Sequence, residues 1–208
     1  MSYFSEGKIV LDIGGGLGFA KKFFPNCRSF IVADPLEFSK HVSLMRQSPS
    51  YAVLRDLYPF VEDESIIYLA CNAEYLPVRS NSIDLVHIRS ALDHFSDPDV
   101  ALREVRRVLK YVGTLIVGTL IVWTSLVSST QEVFSVARKV KGLIRKVLVA
   151  IKLREPIEDH DHHTWHPTRE NIQRIFTNSG FKIQNVVFQP SFGDRVQYFE
   201  LKPVPLRI

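Results

Sequence analysis

The stretch Lys8–Phe19, KIVLDIGGGLGF, limits what this chain can fold into more than any other part of it. Ile9, Val10, Leu11 and Ile13 form a short apolar run rich in β-branched residues, and the run stops at three consecutive glycines. A buried parallel strand ends in a tight turn in this way. Glycine at the carboxyl end of a strand removes the Cβ and admits positive φ, so a ligand can lie against bare backbone. A helix starting within 17–24 would turn its N-terminal amides toward the same ligand. The pattern predicts an α/β fold with a ligand site at the end of the first strand.

The spacing narrows the ligand. A dinucleotide site needs G-x-G-x-x-G, whose third small residue lets the helix pack on the strand. Here Gly14 and Gly16 are followed by Phe19, which breaks that pattern. The pattern present is D-x-G-x-G-x-G, carried by Asp12, Gly14, Gly16 and Gly18. It resembles the first motif of the class I, Rossmann-like methyltransferases that use S-adenosylmethionine. Taken alone, the stretch also fits a glycine-rich turn in some other α/β enzyme.

Further positions carry the resemblance along the chain. The run Ser29–Ala33 reads as a second strand and delivers Asp34, with Pro35 behind it, to the strand's carboxyl edge. A carboxylate there can accept from both hydroxyls of a ribose, and it can equally cap a helix beginning at Pro35. A third strand, Ser65–Ala70, ends in Cys71-Asn72-Ala73-Glu74, followed by Leu76-Pro77 and a strand opening at Ile83. This step is similar to the methyltransferase region that receives the adenine ring. The resemblance implies that Asn72 accepts from the adenine amino group where the family often has Asp, and that Ala73 offers its amide. Glu74 and Arg89 are grouped with these cofactor-binding residues. The fourth strand leads into Arg89-Ser-Ala-Leu-Asp93-His94, which resembles the acceptor-lining segment of small-molecule methyltransferases. His94, with Asp93 beside it, is the candidate base, because an imidazole titrates near neutrality. A His that only bonds a neighbouring loop is the competing reading, and His87, inside the strand, reads as structural.

The chain's 208 residues, 46% hydrophobic and 23% charged, suit a single domain. The net charge of +4 comes without a basic stripe interleaved with aromatics, so no nucleic-acid partner is expected. Cys27 and Cys71 lack metal or redox spacing, and MSYFSEGK lacks a secretory pattern. Both point to a reducing, cytoplasmic setting.

Asp97 and Pro98 open an amphipathic helix expected to run to Gly113, with a fifth strand over 114–121. Glycines and hydroxyl residues interrupt the apolar run that follows, which argues against a membrane span. Over 131–153 apolar and basic residues fall on opposite faces at helical pitch. A lid on the fold, a membrane-surface helix with its basic residues in 138–152, and a homodimer face compete for this stretch. The His-rich segment 155–168 carries zinc- or iron-ligand types, but no helix fixes their spacing and no Cys joins them, so no metal is assigned. Thr168 caps a helix closing at Gly180, and 181–189 and 195–202 read as two final strands.

The resemblance spans nearly the whole chain. It implies a seven-stranded, mostly parallel Rossmann-like sheet with helices on both faces and an antiparallel C-terminal strand. It makes 1–208 one methyltransferase domain with 123–166 as an inserted amphipathic helix and His-rich loop. The cofactor implied is S-adenosylmethionine and the reaction an in-line methyl transfer. The family's covering helices before the first strand have no counterpart in the seven or so residues that precede it, so the cover is expected from 123–166 or a partner chain. The aromatic N-P-P-Y motif that in this family accompanies amine or amide nucleophiles does not follow the fourth strand, so the resemblance favours an oxygen or carbon acceptor, on a small molecule, a sugar or a lipid head group. The alternative is a non-catalytic nucleotide-binding or membrane-surface module on the same fold.

Overall fold

The computed structural model describes residues 5–35, 65–120, 167–191 and 194–205. All of them belong to one compact unit formed by 1–121 and 164–208. The amphipathic stretch 131–153 and most of the His-rich segment lie outside the described residues.

Within that unit seven strands form one sheet in the order β3-β2-β1-β4-β5-β7-β6. They are β1 (Ile9–Ile13), β2 (Ser29–Asp34), β3 (Ile66–Ala70), β4 (Ile83–Arg89), β5 (Leu109–Leu120), β6 (Phe181–Ser191) and β7 (Asp194–Pro203). The first five pair in parallel, while β7 runs antiparallel to both β5 and β6. This is the expected mostly parallel sheet with an antiparallel terminal strand. From β1 the chain builds outward through β2 and β3, then returns to lay β4 on the other side of β1. That reversal puts a topological switch point between β1 and β4, where ligands of open α/β sheets bind.

Alternation along the strands divides the core between the two faces of the sheet. Leu11, Ile13, Val86 and Ile88 join a cluster with residues of α1 (Pro98–Val108) and α2 (Arg169–Asn178). Val10, Leu85 and Ile116 face the other way, with Phe24 and Phe30. α2 starts in a reciprocal cap: Thr168 Oγ1 accepts from the Asn171 amide at 3.2 Å, and Asn171 Oδ1 accepts from the Thr168 amide at 2.6 Å. Phe176 of α2 packs edge-on against Phe199 of β7, with centroids 5.4 Å apart.

Two boundaries differ from the sequence reading. The helix expected within 17–24 is a 3₁₀ turn, Phe19–Phe23. Pro25 stops it: the residue before a proline is steered out of the helical region, and Phe24 sits at φ −122°, ψ 61°. The helix expected to reach Gly113 ends at Val108. The carbonyls of Arg107 and Val108 accept from the amides of Asn81 and Ser82, each at 2.9 Å, and Leu109 already pairs with Ile83. Capture of those carbonyls by the incoming strand ends the helix five residues before the glycine.

Polar groups stitch α1 to the segment leaving β3. Asp97 Oδ1 accepts from the Val100 amide at 3.0 Å as N-cap. Arg107 donates to the carbonyls of Leu76 and Val78 and to Glu104, whose Oε2 accepts from the Leu76 amide at 3.2 Å. The hydrogen bond from Arg107 holds the Glu104 carboxyl below its usual range, against partial burial and with help from the Leu76 amide. A carboxyl depressed on folding stabilises above its unfolded pKa of about 4.3, and that contribution is lost as pH falls through the lower folded value. The expected outcome is a fall in unfolding free energy below pH of about 4 that is shallower in Glu104→Gln, measured by urea titration across pH. Arg107→Ala should cost about 1–2 kcal/mol near neutrality.

Candidate active site

The carboxyl ends of β1, β2, β3 and β4 meet at the switch point, and the glycine turn after β1 lies among them. The Gly14 amide donates to the Ala33 carbonyl at 2.8 Å, and the Gly16 amide to Asp34 Oδ2 at 3.1 Å. Asp34 is 9% exposed, so this carboxylate is anchored to the turn from the end of β2. The residues just past β3 join it, with the Cys71 amide donating to the Asp34 carbonyl at 3.1 Å. Burial, and then the negative charge of Asp34, push the Cys71 thiol up. Tyr68 of β3 donates its hydroxyl to the Leu17 carbonyl at 3.0 Å and ties down the far side of the turn.

β4 closes the other side. Arg89 ends the strand, exposed, opposite Gly118. Ser90 follows at φ 49°, a conformation costing about 1 kcal/mol or more for a residue with a side chain, and its amide donates to the Gly118 carbonyl at 2.8 Å. The bend brings Ala91 beneath Gly14, where a Cβ on the glycine would overlap the alanine methyl. Leu92–His94 then form a 3₁₀ turn with Asp93 buried and His94 exposed.

Below the turn lies a pair that sequence reasoning did not bring together. Asp12 and His87 are register partners on β1 and β4, each 2% exposed, and Asp12 Oδ1 meets His87 Nδ1 at 2.7 Å. Asp12 Oδ2 is buried and has no hydrogen-bond partner among the described residues. It sits directly under Gly15, where a Cβ would overlap it. The signal was present in the sequence: a polar side chain inside each of two central strands, Asp12 between Leu11 and Ile13 and His87 between Val86 and Ile88.

Asn72 and Ala73 reach the same crest from β3, Asn72 exposed and Ala73 buried, and the Asn72 carbonyl accepts from the Tyr75 amide at 3.1 Å. Glu74 is placed differently. Its Oε1 accepts from the Asp97 amide at 3.1 Å and so braces the start of α1. Gly18 closes the turn, its amide donating to the Gly15 carbonyl at 2.9 Å and its carbonyl accepting from Lys21. A groove of about 330 Å³ that includes Arg103, Arg106 and Tyr111 lies against the end of α1 and the start of β5, at the opposite end of the strands. It shares no residue with the crest.

Models of a methyltransferase domain match residues 11–117 and 67–180, each more than half of the chain. The chain belongs to the methyltransferase domain family. The ubiquinone/menaquinone biosynthesis C-methyltransferase of Shewanella sp. (strain W3-18-1) is 28% identical over 189 residues, which cover 85% of this chain and 67% of that protein. An uncharacterized chloroplastic methyltransferase of Arabidopsis thaliana is 28% identical over 115 residues, and the chain spans only 31% of its length. Among solved structures, a SAM-dependent methyltransferase from Aquifex aeolicus superposes with a TM-score of 0.59 at 16% identity, covering 97% of this chain and 85% of that one. The Burkholderia thailandensis 1,6-didemethyltoxoflavin-N1-methyltransferase, solved with its acceptor and S-adenosylhomocysteine, gives 0.61 at 14% identity, covering 96% and 72%. At such identities the likeness is one of fold.

This methyltransferase crest fits the family's cofactor, S-adenosylmethionine. Gly14 and Gly15 leave no room for a Cβ, so the turn is bare backbone, and Asp12 and Asp34 place acceptors beneath and beside it. The steric claim is testable without ligand. Gly15→Ala should destabilise the fold by about 1–3 kcal/mol by driving a methyl into the Asp12 carboxylate. In a double-mutant cycle scored by denaturant unfolding, Asp12→Ala should remove much of that cost. Additive effects would contradict the contact.

Proposed function

We propose that this methyltransferase transfers a methyl group from S-adenosylmethionine to an oxygen or carbon atom of a small-molecule acceptor, with sugars and lipid head groups within that class. The observation that carries the reading is the Asp34 carboxylate bonded to the Gly16 amide at 3.1 Å, which joins the two elements a nucleoside needs, a bare turn and a ribose-binding acid. When bound, the cofactor supplies an electrophilic sulfonium methyl. The chain's part is to hold and orient it. Asp34, oriented by the Gly16 amide, would accept from ribose hydroxyls, since each carboxylate oxygen has more than one lone pair. Asn72 and Ala73 would receive the adenine edge, with Asn72 accepting and the Ala73 amide donating. The Gly14, Gly16 and Gly18 backbone and Asp12 would lie against the amino-acid end, with Arg89 at the rim.

The acceptor would approach over the segment after β4. His94 is exposed there and Asp93 buried beside it, which suits an imidazole that removes a proton while a neighbouring carboxyl orients it. A positioned base contributes about 10²–10⁴-fold, and alignment of the reactants supplies much of the rest. Two similar proteins support a small acceptor: the Shewanella protein is named for C-methylation in ubiquinone and menaquinone biosynthesis, and the Burkholderia structure of the same fold holds 1,6-didemethyltoxoflavin.

Calorimetric titration tests the cofactor. Saturable binding of S-adenosylmethionine, no binding of NAD, and an Asp34→Ala variant weakened by about 1.5–3 kcal/mol, roughly ten- to hundredfold, are the expected results. Full affinity in Asp34→Ala would remove the ribose role. With an acceptor in hand, His94→Ala should lose the limb of the pH–rate profile near the imidazole range and keep its cofactor affinity. Identical profiles would leave His94 without a part in proton transfer.

A further inference from the structure

We propose that His87 is a positioning residue for the cofactor: its imidazole pins one oxygen of Asp12 so that the other stays an oriented acceptor under the glycine turn, directed at the cationic amino group of the cofactor's amino-acid tail. The proposal rests on the S-adenosylmethionine reading above. A carboxylate and an imidazole between two central strands bring nothing to packing that an aliphatic pair would not. A buried charge whose hydrogen bonds are incomplete costs the fold stability. The pair is 2% exposed on both sides and closes at 2.7 Å, yet it satisfies only Asp12 Oδ1. The other oxygen, buried and without a partner among the described residues, lies under Gly15, where a Cβ would overlap it. That arrangement suits a donor that arrives from outside the protein.

The carboxylate cannot turn freely. A carboxylate accepts and does not donate, so with Asp12 ionised the pair closes only when Nδ1 of His87 carries the proton. The ring itself is wedged edge-on against Phe24, centroids 5.3 Å apart at 67°. Phe24 is fully buried next to Phe30, 5.8 Å away. Core packing is thereby passed through the imidazole to the orientation of one carboxylate oxygen. An ammonium group answers that oxygen in charge and in donors.

Two ligands separate this role from general support of the fold. S-adenosylhomocysteine carries the amino-acid tail, whereas 5′-methylthioadenosine keeps the adenosine and thioether without it. In calorimetric titrations His87→Leu should bind S-adenosylhomocysteine about tenfold more weakly than wild type and methylthioadenosine within about twofold. His87→Asn, whose side-chain amide nitrogen occupies the place of Nδ1, should recover most of the loss. Should His87→Leu not fold, Asp12→Asn asks the same question and should show the same tail-selective weakening. Equal weakening for both ligands, an unchanged ratio, or no recovery in His87→Asn would overturn the positioning role while leaving the cofactor reading in place. A wild-type chain that binds neither ligand would overturn both. Nitrogen NMR of the ligand-free protein gives an independent reading: a protonated Nδ1 on His87 that changes in Asp12→Ala supports the pair, and an unprotonated Nδ1 contradicts it.

Discussion

The Asp12 carboxylate lies under the backbone of the turn it precedes, and much of the site's geometry follows from that placement. Because the acid fills the space below Gly15 and Ala91 fills the space below Gly14, the turn must be made of glycine. Because the turn is glycine, its amides reach sideways to the Ala33 carbonyl and the Asp34 side chain on β2. His87 fixes the acid from β4, and Phe24 fixes His87. A parallel register of three central strands, β2-β1-β4, is thus converted into the position of a few polar atoms at one end of the sheet. The local conflicts, an incompletely bonded buried oxygen and a positive φ at Ser90, gather at this end of the sheet.

The fold was legible because its signals are local and repeated. Apolar runs that stop at Gly14, Asp34 and Cys71 marked β1, β2 and β3, and the Asp97-Pro98 and Thr168 caps marked α1 and α2. Boundaries failed where a distant partner decided them. Nothing in residues 98–113 announces that Asn81 and Ser82 will capture the last carbonyls of α1, and Pro25 limits the first helical turn by a restriction on Phe24 that the hydrophobic pattern did not reveal.

The site divides in the same way. The placement of Asp34 beside the glycine turn was readable from spacing, since a motif is a set of local offsets. Glu74 belongs to the same motif, yet its carboxylate meets the Asp97 amide, an encounter set by how α1 returns to the sheet. Asp12 and His87 are 75 positions apart, and only the strand order makes them neighbours. The acceptor side of the proposed reaction draws on His94, exposed after β4, and similar proteins carry names that specify carbon, nitrogen and oxygen methylation.

The central claim is that the crest formed by the ends of β1, β2, β3 and β4 receives the adenosyl cofactor. Backbone hydrogen exchange with and without saturating S-adenosylhomocysteine tests it directly. The account predicts slowed exchange at residues 14–18, 34, 71–75 and 89–94, with the start of β5 near Tyr111 unchanged. Saturable binding that leaves the glycine turn unprotected, or that protects the Arg106 and Tyr111 end of the sheet instead, would contradict it.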